Sequence, residues 1–236
     1  MPVGVIVDAS AVALGGIIGC LIGGKFKEEF KEKMNLVFGI CAMCMGISGV
    51  ILVENLPAVV FSVVVGTAIG LALKLGKRIT NGFGKLFSGM IDTKDEEMRS
   101  FFLTVLVLFC AGGTGIYGAL DSGMTGNHTI LLAKAIMDFF TAMIFAATLG
   151  KIMAFVAIPQ FVILIPFFLL AKVILPLTTP SMINDFKACG GFLLMATSLR
   201  MLKLKDAPAA DMIPAMAVVM PVSFAWTQWI LPLIMG

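Results

Sequence analysis

The chain has 236 residues, of which 59% are hydrophobic and only 13% are charged, and its formal net charge is +3. This composition excludes an ordinary water-soluble domain, in which about 25% of the residues are charged. So modest a positive charge does not suggest a nucleic-acid partner. The high apolar content predicts that the chain lies in a lipid bilayer. Because about 20 apolar residues cross the hydrocarbon core as a helix, the length allows about eight crossings in one transmembrane domain, residues 1–236.

Apolar runs divided by charged or turn-forming residues predict an all-α transmembrane helix bundle. The eight predicted spans are Gly4–Gly24, Met34–Val53, Pro57–Leu75, Phe101–Leu120, Thr129–Gly150, Ile152–Leu175, Ala188–Leu202 and Met212–Ile234. The seventh span is too short to cross unless it begins near Met182. A start there would bring Asn184, Asp185 and Lys187 into the membrane boundary. This span is therefore either a partial helix or a helix whose polar start faces protein or water.

Basic residues are concentrated in alternate connections between the predicted spans. The first, third and seventh connections carry or border Lys25, Lys27, Lys31, Lys33, Lys77, Arg78, Lys85, Lys94, Arg99, Arg200, Lys203 and Lys205. The connections at residues 54–56 and 121–128 contain no lysine or arginine. By the positive-inside rule, the odd-numbered connections face the cytoplasm and both termini lie outside.

A weak internal repeat aligns residues 34–59 with residues 182–218. The matched residues are Phe38 with Phe186, Cys41 with Cys189, and Pro57-Ala58 with Pro214-Ala215. The loop charges give the two segments opposite orientations, which predicts an inverted repeat, an architecture that recurs in secondary transporters. The repeat units would cover about 4–76 and 152–235, with connecting helices over about 99–150.

The clearest functional signal is a pair of charged residues in the fifth span. Lys134 and Asp138 are four residues apart, so they share one helical face and can form an ion pair. Charged groups at this depth cost a few kcal/mol each and usually face the protein interior or a water-filled cavity. Asp138, which is deeper, is the candidate for binding a cation or a coupled proton. The structural alternative is an ion pair near the helix end, since Lys134 lies about 7 Å along the axis from Thr129.

Two further acidic residues are candidates for binding a solute or ion. Asp8 lies in the outer half of the first span, where the simpler interpretation is a boundary residue that reaches the lipid headgroups. Asp121 begins the predicted loop 121–128, whose residue types favour turns and could also line an entrance.

Polar and glycine residues at the start of the seventh span form another candidate site. Gly190 and Gly191 follow Asn184 and Asp185, and the repeat places them opposite the glycines of the second span. Such a pair can mark an unwound helix whose backbone, together with nearby polar side chains, binds an ion or substrate. Close helix packing is the alternative interpretation.

Small residues recur at every fourth position in three of the predicted spans. They are Ala11, Gly15, Gly19 and Gly23; Gly66 and Gly70; and Ala142, Ala146 and Gly150. Stripes of this kind let helix backbones approach closely. They indicate tight packing or a homo-oligomer interface, and they are the main support for an alternative function as a non-transporting membrane scaffold or assembly protein.

Short motifs give little support for catalysis. Gly46-Ile47-Ser48-Gly49 matches a pattern of intramembrane serine hydrolases, but the histidine base would have to be His128, which is predicted in an outside loop. Cys41 and Cys44 have the spacing of metal ligands without the further ligands of a complete site. We therefore predict no enzyme activity, catalytic residue, metal or cofactor, and keep a Ser48 hydrolase as a remote alternative.

Four stretches together carry a family resemblance. They are the run from Phe109 to Leu131, Lys134-Ala-Ile-Met-Asp138, Gly190-Gly191, and Met212-Ile-Pro214-Ala215. Over nearly the whole chain they resemble the bacterial membrane family catalogued as domain of unknown function 554, with YqgA-like and YdfK-like members. The resemblance implies a multi-spanning protein of the cytoplasmic (inner) membrane, often described as a transporter, and it implies no substrate. The leading hypothesis is a secondary transporter or channel for a small solute or ion.

Overall fold

A computed structural model of the protein describes residues 1–22, 27–87, 102, 105–106, 109–110 and 113–235, and every regular element that these residues form is helical. The α-helices are α1 (Val3–Ile22), α2 (Glu28–Val50), α3 (Leu56–Ala72), α4 (Leu75–Phe87), α5 (Gly113–Thr125), α6 (Thr129–Leu149), α7 (Ile152–Phe155), α8 (Ala157–Ile174), α9 (Pro180–Met201), α10 (Ile213–Ala225) and α11 (Leu231–Met235). A 3-10 turn at Leu175–Leu177 follows α8, and a π-helical turn at Trp226–Ile230 joins α10 to α11. The predicted all-α class is confirmed.

Five of the described helical segments are long and apolar enough to cross a membrane. They are Val3–Ile22, Glu28–Val50, Thr129–Leu149, Ile152–Leu177 and Ile213–Ile234, and the apolar helix Leu56–Ala72 is shorter. The fourth predicted span, Phe101–Leu120, lies partly outside the described residues. A bundle of membrane helices is therefore confirmed, whereas the count of eight stays a prediction.

The seventh predicted span is longer than its apolar part, because α9 begins at Pro180 and has 22 residues. Proline is well suited to the first turn of a helix, and the Thr179 hydroxyl before it caps the helix by accepting the backbone N–H of Met182 at 3.3 Å. This start places Asn184 and Asp185 inside the helix. Asp185 faces the protein interior, where it is fully buried.

The helices form two compact units, of which unit 1 comprises Met1–Val37 and Lys77–Lys172. In unit 1, α1 and α6 pack side by side in the same direction, because Gly4 lies against Leu131 and Gly19 lies against Met143. Helix α5 packs on α6, and every residue from Thr114 to Met124 is buried. A helix enclosed on all sides is the centre of this unit.

The small-residue stripe of α1 explains how closely α1 and α6 approach. A side chain at Gly15 would collide with the carbonyl oxygen of Phe139, and one at Gly19 would collide with that of Met143. The facing positions on α6, Ala142 and Ala146, are themselves small. The stripe therefore packs helices within the chain, where dispersion and close backbone contact stabilise the pair.

Unit 2 comprises Phe38–Gly76 and Val173–Gly236, and in it α2 packs against α9. Gly39 lies against Leu202, whereas Gly49 lies against the carbonyl of Lys187. The contacts run in opposite directions along the two helices, so the helices are antiparallel.

Helices α3 and α10 of unit 2 are also antiparallel. Gly66 lies against Ala215, and Gly70 lies against Asp211, just before α10 begins. An inverted repeat of α2–α3 and α9–α10 requires antiparallel pairs, and the repeat itself stays a prediction.

The glycine pair in α9 does not break the helix. Helix α9 continues without interruption through Gly190 and Gly191, so the prediction of an unwound segment there is wrong. A side-chain carbon at Gly191 would lie 2.5 Å from the carbonyl oxygen of Gly46 and 2.8 Å from the backbone nitrogen of Val50. The missing side chain thus permits close packing of α9 on α2, which was the alternative interpretation.

Candidate functional site

Four polar side chains from three helices meet inside unit 1. Asp8 lies on α1, Lys134 and Asp138 lie on α6, and Gln160 lies on α8. The Lys134 ammonium donates to Asp8 Oδ2 at 3.0 Å and also to Asp138 Oδ2. The Gln160 amide Nε2 donates to Asp8 Oδ2 at 2.8 Å and to Asp138 Oδ2 at 3.0 Å. We call these four residues the unit 1 polar network.

The network is almost completely removed from the surface. Asp8 and Gln160 have no exposed area, and the Lys134 side chain is 5% exposed. The Asp138 side chain keeps 15% of its area exposed. Buried charges cost several kcal/mol each unless they are paired and hydrogen-bonded, so the ion pairs with Lys134 are needed to hold both carboxylates there. Asp138 is the most accessible member.

Two oxygens of the network have no donor. Asp8 Oδ1 and Gln160 Oε1 are buried and accept no hydrogen bond from the residues that the structure describes. Buried polar atoms are bonded in the large majority of cases, and a buried acceptor without a donor costs about 1–3 kcal/mol. In addition, two carboxylates face one ammonium, so the fully ionised network has a formal charge of −1. Within the described part of the chain, the network therefore lacks one positive charge and two hydrogen-bond donors.

Local sequence explains how these side chains meet. Lys134 and Asp138 are one helical turn apart, which aligns them on one face of α6. The glycines of α1 bring its backbone near α6, so the short Asp8 side chain reaches Lys134. Gly115 of α5 leaves room for the lysine stem, since a side-chain carbon there would lie 3.3 Å from Lys134 Cε.

Asp8 does not reach the lipid headgroups, so that expectation is wrong. Its neighbours on the same helical face, Val5, Val12 and Gly15, are all buried within unit 1. An aspartate in this register points into the packed face of the helix, whatever its depth along the axis. Its buried partner Lys134 stabilises it there.

Asp121 is not in a loop, which corrects the prediction for residues 121–128. Helix α5 continues to Thr125, whose hydroxyl donates to the carbonyl of Asp121 at 2.9 Å, and Asp121 itself is buried. The connection consists of residues 126–128, where Gly126 adopts a φ of 73°. Turn-forming residue types are tolerated in this helix because it is packed on all sides, and tertiary packing overrides helix propensity.

Asp185 is the buried carboxylate of unit 2, and both of its oxygens are occupied. Oδ1 accepts the backbone N–H groups of Glu54 at 3.0 Å and Asn55 at 2.8 Å. Oδ2 accepts the Asn55 side-chain amide at 2.8 Å and the Ser223 hydroxyl at 2.6 Å. Unpaired N–H groups at a helix start favour a negative charge, so Asp185 fastens α9 to the start of α3 and to α10.

The other predicted site residues of unit 2 make structural contacts. Asn184 donates to the Glu54 carboxylate at 2.6 Å near the surface. Gly190 is buried, and Gly191 packs on α2. A binding role for these residues and for Asp185 stays a prediction.

Gln160 is a site residue that the sequence reasoning missed. It lies between Pro159 and Phe161 in an otherwise apolar stretch. A single amide side chain inside a predicted span is the sequence feature that could have indicated it. A search for charged residues within the predicted spans does not find Gln160, because an amide carries no charge.

The residues of the remote hydrolase alternative have local partners of their own. The Ser48 hydroxyl donates to the carbonyl of Met45 at 2.7 Å. His128 Nδ1 and the Ser122 hydroxyl are hydrogen-bonded at 2.6 Å. The Ser48 hydroxyl is therefore bonded to a backbone carbonyl, and His128 is bonded to a different serine, Ser122.

Comparison with known proteins gives a family and two relatives. The model of the family described as "Protein of unknown function (DUF554)" matches residues 3–224. "Uncharacterized protein YqgA" of Escherichia coli (strain K12) is 41% identical over 233 residues, which are 97% of this chain and 99% of that protein. "Uncharacterized membrane protein YdfK" of Bacillus subtilis (strain 168) is 25% identical over 221 residues, 91% of this chain and 93% of that protein. No solved structure matches.

Proposed function

The chain belongs to the family described as "Protein of unknown function (DUF554)", and from this premise we propose that it is a secondary transporter or channel that moves a small solute or ion across a bacterial cytoplasmic membrane. The relatives' names give a membrane location in one case and no activity. The observation that carries the proposal is the unit 1 polar network, in which three ionisable groups meet in the interior of a membrane protein. The proposal contains no catalytic step.

A purely structural ion pair would need only one carboxylate for Lys134. The second carboxylate gives the ammonium a choice of partners, Asp8 or Asp138, which a mobile ion or proton can shift. Ionisable groups buried in membrane helices commonly form ion pathways and proton relays. The partial exposure of Asp138 supports a role as the entry position, with Asp8 as the inner one.

The directions of the packed helices support the alternating crossings of the proposed topology. In unit 1 the first and fifth predicted spans, α1 and α6, are parallel, as two odd-numbered crossings must be. In unit 2 the second and seventh spans, α2 and α9, are antiparallel. Together with the basic connections, this supports our proposal that both termini lie outside.

The scaffold alternative is less well supported than transport. Its main support was the small-residue stripes, and Gly15, Gly19, Gly66 and Gly70 of these stripes pack inside the chain, α1 on α6 and α3 on α10. The same contacts account for the pattern that suggested a homo-oligomer, so the proposal includes no oligomer.

The proposal is tested by recording charge movement in proteoliposomes adsorbed on a solid-supported membrane. Concentration jumps of H⁺, Na⁺, K⁺ and Cl⁻ would be applied to the wild type and to Asp138→Asn. We expect a protein-dependent current that Asp138→Asn abolishes, because the entry carboxylate loses its charge. Asp206→Asn is the matched control, since Asp206 is an exposed carboxylate, 91% accessible.

Folding of each variant would be checked by circular dichroism and by elution as a monodisperse species. Unchanged currents in folded Asp138→Asn would remove this residue from the path. Absence of current in the wild type for all four ions would contradict net charge movement by any of these ions.

A further inference from the structure

We infer that Asp8 binds a proton on Oδ1 and that the resulting O–H donates a hydrogen bond to the amide oxygen of Gln160. The ion carried by, or coupled to, this protein is then H⁺. The inference rests on the proposed function and names its ion. It assigns different roles to the two carboxylates of the unit 1 polar network.

The first observation concerns two buried oxygens, Asp8 Oδ1 and Gln160 Oε1, which accept no hydrogen bond from the described part of the chain. Both are acceptors when Asp8 is ionised, so neither can satisfy the other. A single proton on Oδ1 turns that atom into a donor and provides the donor that Gln160 Oε1 lacks.

The second observation is that Asp8 and Gln160 are already joined by one hydrogen bond. Gln160 Nε2 donates to Asp8 Oδ2 at 2.8 Å. The remaining oxygens, Asp8 Oδ1 and Gln160 Oε1, belong to the same two side-chain groups. A protonated carboxyl group and a primary amide can form two parallel hydrogen bonds, N–H to carboxyl oxygen and O–H to amide oxygen. The orientation of the amide is set because Nε2 also donates to Asp138 Oδ2 at 3.0 Å.

Charge balance assigns the proton to Asp8. Lys134 compensates one carboxylate, and Asp138 is its neighbour on the same helix. Among the residues that the structure describes, no second ammonium pairs with either carboxylate. An uncompensated charge is most costly where burial is complete. Asp8 has no exposed area, whereas the Asp138 side chain is 15% exposed. With Asp8 protonated, the network is neutral.

The groups that surround Asp8 agree with this assignment. Lys134 and Asp138 face it from α6, and Gln160 faces it from α8. Cys110, from the fourth predicted span, is a further titratable group within electrostatic range of the network. The proton comes from the aqueous phase through Asp138, forms an O–H bond on Asp8 Oδ1, and returns to water when that bond breaks, with no change of oxidation state.

A metal cation fits these oxygens less well. Asp8 Oδ1 and Gln160 Oε1 offer two free ligand atoms, whereas hard cations such as Ca²⁺ and Mg²⁺ take six or more oxygens. The Lys134 ammonium beside Asp8 would also repel a second cation.

The test is infrared difference spectroscopy of the protein in liposomes during stepwise changes of pH, which requires no transport. A protonated carboxyl group has a C=O stretch separate from the amide bands, and aspartate labelled with ¹³C at the carboxyl carbon shifts that band. We expect the wild type to show the band, Asp8→Asn to lose it, and the exposed control Asp206→Asn to keep it. In Asp138→Asn the band should weaken at the same pH, because Lys134 then compensates Asp8 alone. In Gln160→Leu the band should remain but move to higher frequency, because the hydrogen bond to the amide oxygen is lost.

The outcomes separate this inference from the proposed function. Absence of the band at every pH at which the protein is folded, or its persistence in Asp8→Asn, would overturn proton binding by Asp8. Loss of the wild-type band when Na⁺ or K⁺ replaces N-methylglucamine at constant pH would show instead that a metal cation occupies the site. Ionic currents with no such band would support transport and contradict proton binding by Asp8. The band without any current would support proton binding by Asp8 and contradict ion transport.

Discussion

Asp8 in unit 1 and Asp185 in unit 2 are both aspartates without exposed area, yet their surroundings differ. Asp185 has two hydrogen bonds on each oxygen, and all of the donors are backbone N–H groups or neutral side chains. Asp8 has two donors on Oδ2 and, among the described residues, none on Oδ1. Burial of a carboxylate is therefore not a functional signal by itself. The informative property is whether its lone pairs are satisfied by fixed donors.

The partners of the two carboxylates also differ in what they can do. The backbone donors to Asp185 belong to the turn before α3, so Asp185 cannot leave without opening the helix start. The lysine that faces Asp8 has a second carboxylate, Asp138, one helical turn away. The first arrangement fixes Asp185 on backbone donors, whereas the second gives one lysine two carboxylate partners.

The largest expected effect is that of Lys134→Met. This change leaves the ionised carboxylate of the network without a counter-ion, and removing one partner of a buried ion pair typically costs about 3–5 kcal/mol. We expect a corresponding loss of unfolding free energy in detergent micelles, partly recovered in acidic buffer because protonation removes the uncompensated charge. Lys134→Met combined with Asp138→Asn should also recover part of the loss. Wild-type stability of the single variant would show that the network is not held by its charges.

Asp185→Asn is expected to have the next largest effect, about 2–4 kcal/mol. An asparagine keeps one acceptor oxygen and places an amide donor against donors, so at least two buried donors lose their partner. The loss should appear as a lower midpoint of thermal unfolding and should not depend on pH in the way that Lys134→Met does. Asn184→Ala is the matched control, since the neighbouring Asn184 bonds Glu54 near the surface and should cost less than about 1 kcal/mol. Equal effects of the two variants would contradict the anchoring role of Asp185.

The same substitution at the other buried carboxylate, Asp8→Asn, is expected to have the smallest effect on stability, less than about 1 kcal/mol. The introduced amide keeps an oxygen for Lys134 and gains an N–H that can donate to Gln160 Oε1, so it imitates the protonated carboxyl group. The measurement is the same thermal unfolding experiment, run beside Asp185→Asn. A loss as large as that of Asp185→Asn would mean that the two carboxylates are equivalent anchors, and the contrast between the units would fail.

Much of the architecture could be predicted from the sequence, since apolar runs of membrane length depend on composition along the chain. The pairing of Lys134 with Asp138 also follows from spacing, because residues four apart share a helical face. The loop at Asp121 was predicted wrongly because turn-forming residues inside an enclosed helix look like a loop when only local propensity is considered. The unwound helix at Gly190 and Gly191 was wrong because glycine serves close packing as readily as it permits a break.

The sequence alone determined that this is a helical membrane protein and that α6 carries a charged pair, because both properties are local and periodic. Only the tertiary structure decided that Asp8 joins that pair, 126 residues away, and that Gln160 completes the network 152 residues from Asp8. Such contacts depend on which helix faces pack together, and the glycines of α1 permit many close partners. The same dependence decided that one buried aspartate, Asp185, has donors on both oxygens, and that the other, Asp8, has an oxygen that accepts no hydrogen bond from the described residues.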